Sequence, residues 1–230
     1  MAKLLENTFR AVNIGLANEV ALLCERLKLD VWEVVRAAAT KPFGFLPFTP
    51  GPGIGGHCIP VDPLYLSWRV RGMDVKTRFI DLADDVNRAM PSHAAEGIAE
   101  LLNDCSKPVK GSSILLLGVA YKKNVGDTRE SPAIDVARHL HARGAKLSYH
   151  DPFVTRFVVD ESESKRLEIP RVLALDKATL ARFDAIAILT DHSSINYAEI
   201  LESCDAVYDT RNATAGLHGK ARLRRLGTGE

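Results

Sequence analysis

The hydrophobic period of this chain changes near residue 107, and the change predicts two parts with different folds. From Leu4 to Leu29, apolar residues recur at intervals of three and four, which is typical of an amphipathic helix. From Ser113 to Gly118 a short apolar run is continuous, which is typical of a strand buried on both faces of a parallel sheet. We therefore expect an all-helical domain over 1–106 and an α/β domain over 107–230.

Further helices are expected in the first part. Asp30 is placed to cap a second helix, which Pro42 terminates. Pro63 can open a third helix, and 78–103 reads as a fourth, which Pro91 is expected to kink or divide.

The second part alternates helices and strands, as in a doubly wound parallel sheet of the Rossmann-like kind. Strands are expected at 113–118, 146–150, 184–189 and 206–208, and helices at 132–143, 177–182 and 195–203. Ligands of such sheets bind beyond the carboxyl ends of the strands. Two of these ends carry Lys122 and Arg211, which are suited to hold an anion such as a diphosphate. The alternative is that both are ordinary solvated loop charges.

A glycine- and proline-rich run over 48–63 contains Cys58. Such a run cannot continue a helix or strand, so it predicts a tight loop that presents the thiol close to a ligand. The run does not connect a strand to a helix, so it is not a dinucleotide-binding fingerprint. His57, Cys58, His93 and Cys105 are too widely spaced in sequence for a recognisable zinc site, and we expect no metal. The other cysteines, Cys24, Cys105 and Cys204, lie in apolar or amphipathic segments and are expected to be buried.

Composition restricts the class of protein. The 230 residues carry a net charge of +1, with 46% hydrophobic and 26% charged residues, as in ordinary globular proteins. This charge argues against a nucleic-acid partner, and no apolar stretch is long enough to cross a membrane. Four cysteines without framework spacing, and no signal peptide, suggest the cytoplasm.

Four ordered motifs resemble one known family, that of the UDP-glucose/GDP-mannose dehydrogenases. They occupy 3–10, 53–62, 118–131 and 209–212, so the resemblance extends over nearly the whole chain. The loop sequence from His57 to Pro63 looks closest to that of bacterial UDP-N-acetylhexosamine 6-dehydrogenases. UDP-glucose enzymes usually carry Lys where Val61 stands.

The resemblance implies a reaction and its catalytic residues. Family members oxidise the C6 alcohol of a nucleotide sugar to a carboxylate in two NAD-dependent steps, and Cys58 matches the cysteine that forms the thiohemiacetal and thioester. Asp62 matches a carboxylate that orders water. Lys3 and Asn7 match the pair that stabilises the oxyanion, and their spacing places both on one helix face.

The resemblance also implies a substrate site. Its members would be Lys122 and Arg211 at the nucleotide sugar, Tyr121 beside the uracil or ribose, and the pocket residues Phe48, Gly53, Gly55 and Gly56. Simpler roles stay open for three residues. Phe48 could only pack the loop, Asn7 could only bond to a helix neighbour, and Asp62 could only cap the helix that Pro63 opens.

One departure from the family concerns the cofactor. The sequence begins at the central helix, so the resemblance implies that the NAD-binding domain is absent, and we expect no NAD binding or turnover by this chain alone. Family members dimerise through this helix, so we expect a homodimer through residues 4–29; the alternative is that the apolar stripe packs inside the chain. A second possible function is a non-catalytic module for dimerisation and UDP-sugar binding. A thiol hydrolase is weaker, since no dyad motif surrounds Cys58.

Overall fold

The computed structural model of the chain describes residues 1–162 and 165–229. The first part contains four helices: α1 Ala2–Leu27, α2 Val31–Ala38, α3 Asp62–Arg71 and α4 Arg78–Asp104. The second part contains β1 Ser113–Leu117, α5 Pro132–Ala142, β2 Lys146–His150, β3 Val158–Ser162, β4 Lys165–Glu168, α6 Lys177–Leu180, β5 Ala185–Ile188, α7 Tyr197–Ser203, β6 Ala206–Asp209 and β7 Arg222–Arg225. We propose a domain boundary at residue 106, between α4 and β1.

The main sheet is parallel and buried on both faces. Its strand order is β2-β1-β5-β6-β7. Successive residues of β1 point to opposite faces, so Ile114 joins a core with α4 and α5, whereas Leu115 joins a core with α6 and α7. Helices on both faces of a parallel sheet confirm the predicted doubly wound fold.

Small and polar side chains, rather than leucines, form the buried face of α1. Asn7, Ala11, Gly15, Asn18 and Ala21 are among the buried residues of this helix. A Cβ atom at Gly15 would lie 3.3 Å from the Cα atom of Ala83 on α4. The two long helices therefore pack closely, and larger apolar side chains of α1 are left on the outside.

Local signals in the helical part are mostly confirmed. Asp30 caps α2 by accepting from the Trp32 N–H at 2.8 Å, and Pro63 lies in the first turn of α3. Pro91 does not divide α4, because the helix is continuous through it. A proline has no N–H to donate, so the carbonyl of Asn87 is left without its usual helical partner.

Two strand features were not predicted. Strands β3 and β4 form an antiparallel pair outside the main sheet. The edge strand β7 has the sequence Arg-Leu-Arg-Arg. It has three charged residues and lacks the apolar run that predicts a buried strand. Its Arg224 pairs with Glu100 of α4, and the indole N–H of Trp32 donates to the Leu226 carbonyl at 3.0 Å. These contacts attach the edge of the sheet to the helical part.

Gly97 provides a test of how α4 packs on the sheet. A Cβ atom there would overlap the hydroxyl group of the fully buried Tyr208 on β6. We expect Gly97→Ala to lower the free energy of unfolding by about 1–3 kcal/mol, despite the better helix propensity of alanine. Urea titration would measure the change. Gly72→Ala is the matched control, because no atom lies within 4 Å of its added Cβ; an equal effect in both variants would contradict the packing argument.

Candidate functional site

Two buried asparagines hold the glycine-rich loop on the helical part. The Gly51 N–H donates to Asn18 Oδ1 at 2.9 Å, and Asn18 Nδ2 donates to Asn87 Oδ1 at 2.9 Å. Asn87 in turn donates to the Ala11 carbonyl at 3.1 Å. Buried amides are retained only when they are bonded in this way. Sequence reasoning missed both asparagines, although an Asn on the apolar side of a helix is the signal that could have identified them.

The other side of the loop lies directly against the α/β part. A Cβ atom at Gly55 would be 2.6 Å from the Glu130 carbonyl oxygen and 2.7 Å from Tyr121 Cβ. Gly53 and Gly56 have φ of 129° and 87°, in the region that favours glycine. The Gly56 N–H donates to the Arg129 carbonyl at 3.2 Å. The glycines are therefore needed for close approach to residues 121–132.

Lys3, Asn7 and Asp62 are brought together beside the Cys58 turn. Asn7 Nδ2 donates to Asp62 Oδ2 at 2.7 Å, and Lys3 Nζ lies 3.6 Å from the same oxygen. The Asp62 N–H donates to the Cys58 carbonyl at 2.9 Å, and the Cys58 side chain is exposed. The carboxylate thus links two residues of α1 to the turn that carries the thiol.

Asp62 does not cap α3, and Asn7 does not bond to a helix neighbour, so the simpler roles considered for these residues are wrong. The N-cap of α3 is Val61, without a side-chain capping bond, so Asp62 does not cap the helix. Asn7 bonds across 55 residues of sequence rather than to a helix neighbour. The Lys3 to Asp62 pair is exposed enough to contribute only about 0–1 kcal/mol to stability. The ion pair therefore adds little to stability, but it places the Lys3 ammonium group beside the loop.

Where the loop and the carboxyl edge of the sheet are not in contact, a cleft of about 330 Å³ lies between them. Its lining exposes polar and apolar surface in similar amounts, with Tyr121, Lys122 and Arg211 on the sheet side. The remaining lining residues are Ile14, Pro47, Phe48, Thr49, Gly51, Gly53, Ile54, Gly55 and Ile59. Phe48 does both things considered for it, since it lines the cleft and packs edge-on against Phe9 at 5.7 Å between ring centroids. Gly56 instead lies against the Tyr121 ring.

The two cations of the cleft differ in how they are held. Arg211 is fixed by its Nε, which donates to the Leu189 carbonyl at 3.1 Å, and by its backbone N–H, which donates to Asp209 at 2.8 Å. Burial lowers the pKa of its guanidinium, while Asp191 and Asp209 act in the opposite direction. Lys122 is exposed, and among residues 1–162 and 165–229 its ammonium group has no hydrogen-bond or ion-pair partner. A lysine and a guanidinium fork open to one cleft favour an anion with several oxygens.

A second groove of about 270 Å³ lies on the other side of Gly53 and Ile54, between α3, α4 and α5. Its arginines are paired within their own helices, Arg88 with Asp84 and Arg138 with Asp135. This groove therefore has less attraction for an anion than the cleft.

Residues 1–162 and 165–229 contain neither a metal-binding cluster nor a membrane-spanning helix. No group of three or more His, Cys, Asp or Glu side chains there is arranged to hold a metal ion. No helix there is long and apolar enough to cross a membrane.

Comparison with known proteins places this arrangement in a family. Residues 1–89 match the central domain of the UDP-glucose/GDP-mannose dehydrogenase family, and residues 115–216 match its UDP-binding domain. The chain is 35% identical over 220 residues to a UDP-N-acetyl-D-mannosamine dehydrogenase of Methanococcus maripaludis, covering 92% of this chain and 47% of that protein. It is also 35% identical over 191 residues to a UDP-N-acetyl-D-glucosamine 6-dehydrogenase of Salmonella typhi, covering 83% of this chain and 43% of that protein.

A solved structure agrees with these relatives. The UDP-D-ManNAc dehydrogenase of Pyrococcus horikoshii matches with a TM-score of 0.84 and 33% identity, covering 100% of this chain and 51% of that one. The chain thus spans about half the length of the relatives it matches. Two domains of the family match in order, and a relative matches 92% of this chain; the chain therefore belongs to the UDP-glucose/GDP-mannose dehydrogenase family.

Proposed function

We propose that this chain binds a UDP-N-acetylhexosamine, of the glucosamine, galactosamine or mannosamine type, and carries the nucleophile for oxidation of its C6 alcohol to the uronate. The observation that carries the proposal is the pair of cations, Lys122 and Arg211, open to a cleft whose opposite wall is the loop that bears Cys58. The names of the relatives supply the sugar class.

The cleft suits a nucleotide diphosphate. Arg211 can bind two phosphate oxygens with its fork, and Lys122 can neutralise further charge. Tyr121 and Phe48 offer aromatic surface to a uracil or ribose, and Ile54 and Ile59 offer apolar surface to the sugar. A volume of about 330 Å³ lies within the usual range for small-molecule sites, about 300–1,000 Å³.

In the proposed chemistry, the Cys58 thiolate adds to the C6 aldehyde that arises from the alcohol. A carbon–sulfur bond forms and the carbonyl electron pair moves to oxygen, which gives the oxyanion of a thiohemiacetal. Lys3 and Asn7 stabilise this oxyanion, and Asp62 holds both donors at the turn. Formation of the aldehyde and oxidation of the adduct to a thioester would each transfer one hydride to an acceptor supplied from outside this chain. Water would then cleave the thioester to the carboxylate and release the Cys58 thiol.

NAD is the hydride acceptor that the family implies, and residues of this chain do not fit it. In the described residues, β1 leads into Gly118-Val119-Ala120-Tyr121, which lacks the glycine-rich fingerprint. Gly118 instead lies against the Thr190 carbonyl. We therefore assign no residue to NAD, and we propose that the chain binds UDP-sugar without NAD and does not turn over alone. The four free thiols fit the reducing cytoplasm as its location.

We also propose that the partner of α1 is a second copy of this chain. Leu16, Leu23 and Leu27 are 56%, 54% and 67% exposed, so the stripe does not pack inside the chain at these positions. Leu5, Phe9, Leu16 and Leu23 follow intervals of four and seven residues, which suits a helix-to-helix seam. A two-fold axis beside α1 would cover the stripe of both copies.

Calorimetric titration tests the nucleotide site. UDP and UDP-N-acetylglucosamine should bind, and Lys122→Ala or Arg211→Ala should each weaken binding by about 10- to 100-fold, since a bond to a charged group contributes about 1.5–3 kcal/mol. Lys146→Ala is the control, because Lys146 is exposed at the amino end of β2, away from the cleft. Failure of the wild-type chain to bind UDP, or equal losses in all three variants, would contradict the site; binding of NAD would contradict the cofactor assignment.

Thiol labelling tests whether Cys58 is the available nucleophile. Iodoacetamide near neutral pH should alkylate Cys58 first, as mapped by mass spectrometry. Burial raises the pKa of the Cys204 thiol to about 11, with a contribution from Asp205, and burial also raises the pKa of Cys24. Both should react slowly, and the half-buried Cys105 at an intermediate rate. Rapid labelling that persists in Cys58→Ser would contradict this order.

Trapping of a UDP-sugar C6 aldehyde separates an enzyme part from a mere binding module. With the C6 carbon labelled with 13C, the wild-type chain should give the NMR signal of a thiohemiacetal carbon and the aldehyde should slow alkylation of Cys58, whereas Cys58→Ser should give no such signal. Binding of UDP-sugar without any adduct would favour the non-catalytic module.

Sedimentation analysis tests the dimer. Leu16→Glu places a charge within the exposed stripe of α1 and should shift the chain from dimer to monomer. Leu173→Glu is the control, since Leu173 is 77% exposed and lies in the α/β part. A wild-type monomer, or a dimer that survives Leu16→Glu, would contradict this interface.

A further inference from the structure

A buried carboxylate supports the loop that carries Lys122. Asp151, directly after β2, is fully buried. Its Oδ2 accepts from the N–H groups of Val119 and Ala120 at 2.8 and 3.0 Å. Its Oδ1 accepts from Phe153 and Val154 at 2.8 and 3.1 Å. Burial works to raise the pKa of Asp151, but these bonds and the one from His192 outweigh it, so the pKa is lowered and the group stays ionised.

His192 joins this carboxylate to the far end of the same loop. The imidazole is fully buried after β5. Its Nδ1 lies 3.0 Å from the Asn124 N–H, which is a donor only, so Nδ1 accepts. Its Nε2 therefore carries the proton and donates to Asp151 Oδ2 at 3.0 Å. One side chain thus connects the two ends of residues 119–124.

Further bonds fix the loop on both sides of Lys122. Thr190 Oγ1 donates to the Ala120 carbonyl at 2.6 Å. Asn124 Nδ2 donates to Ser193 Oγ at 3.0 Å, and the Ser193 N–H donates to Asn124 Oδ1 at 2.9 Å. Asn124 has φ of 60°, a conformation that needs such support. Lys122 lies between these fixed points.

We propose that Asp151 and His192 are positioning residues for Lys122, which hold residues 119–124 in the binding conformation before the nucleotide arrives. The inference rests on the proposed function, because it requires Lys122 to bind the nucleotide. Ordering a loop in advance removes a cost that would otherwise be subtracted from the affinity. Neither Asp151 nor His192 is among the residues that line the cleft.

Two substitutions of His192 each remove one of its two side-chain hydrogen bonds and can keep the other. In His192→Gln, the side-chain amide can replace Nε2 and donate to Asp151, but no atom replaces Nδ1 as the acceptor for the Asn124 N–H. In His192→Asn, the shorter side chain can place its amide oxygen where Nδ1 was and accept from the Asn124 N–H, but no atom replaces Nε2 as the donor to Asp151. We expect His192→Gln to weaken UDP binding about tenfold, and His192→Asn to recover most of that affinity while lowering the melting temperature. Amide hydrogen exchange should show faster exchange of Asn124 in the glutamine variant only.

Tyr197→Phe is the matched control for a loss of stability alone. The Tyr197 hydroxyl donates to the His192 carbonyl at 3.1 Å, on the side away from the loop bonds. This variant should lower the melting temperature without changing the affinity for UDP. Ser193→Ala, at an exposed site that does not threaten folding, should weaken UDP binding about threefold by releasing the Asn124 side chain.

A double-mutant cycle shows whether the effect passes through Lys122. If it does, His192→Gln should cost little further affinity in a Lys122→Ala background. Additive losses, or a normal UDP affinity in both His192→Gln and Ser193→Ala, would overturn the inference while leaving the nucleotide site intact. Absence of UDP binding by the wild-type chain would instead overturn the proposed function, and the inference with it.

Discussion

The close approach of the glycine-rich loop to the carboxyl edge of the sheet is the constraint on which the site depends. Gly51 leaves no room for a side chain beside the Arg211 guanidinium, and Gly55 leaves none beside Tyr121. The Asn18 and Asn87 amides hold the same loop to the helical part. Because one loop contacts both parts of the chain, the position of the thiol is tied to the position of the cations.

The cationic side chains of the cleft have different partners from cationic side chains elsewhere. Elsewhere in the described residues, cations such as Lys107 and Arg224 pair with Asp184 and Glu100. In the cleft, Arg211 is fixed by a backbone carbonyl, which orients it without neutralising it. Asp191 and Asp209 favour the charge of Arg211 but, among the described residues, make no ion pair with its guanidinium, so an anionic ligand can still pair with it. Such an arrangement is typical of a binding site rather than of a stabilising surface network.

The sequence predicted elements whose signals are local. Asp30 caps α2 and Pro63 opens α3, because a cap or a first-turn proline acts over a few residues. The apolar runs predicted the buried strands, since burial on both faces removes polar residues. β7 was missed because its charged side chains lie on an edge. Of the two outcomes expected at Pro91, division of the helix is wrong: the hydrogen bond lost there does not interrupt α4, which also packs on α1 and α5.

The sequence by itself determined the fold class, the family motifs and the chemical types at the site, because spacing and composition are written along the chain. Only the tertiary structure decided that Asp62 joins Lys3 and Asn7 rather than capping its helix. It also decided that His192 holds the loop of Lys122 by accepting a hydrogen bond from Asn124, which is 68 residues away in sequence. The physical reason is that a hydrogen bond depends on angstrom distances between groups far apart in sequence, and only packing of the elements sets those distances.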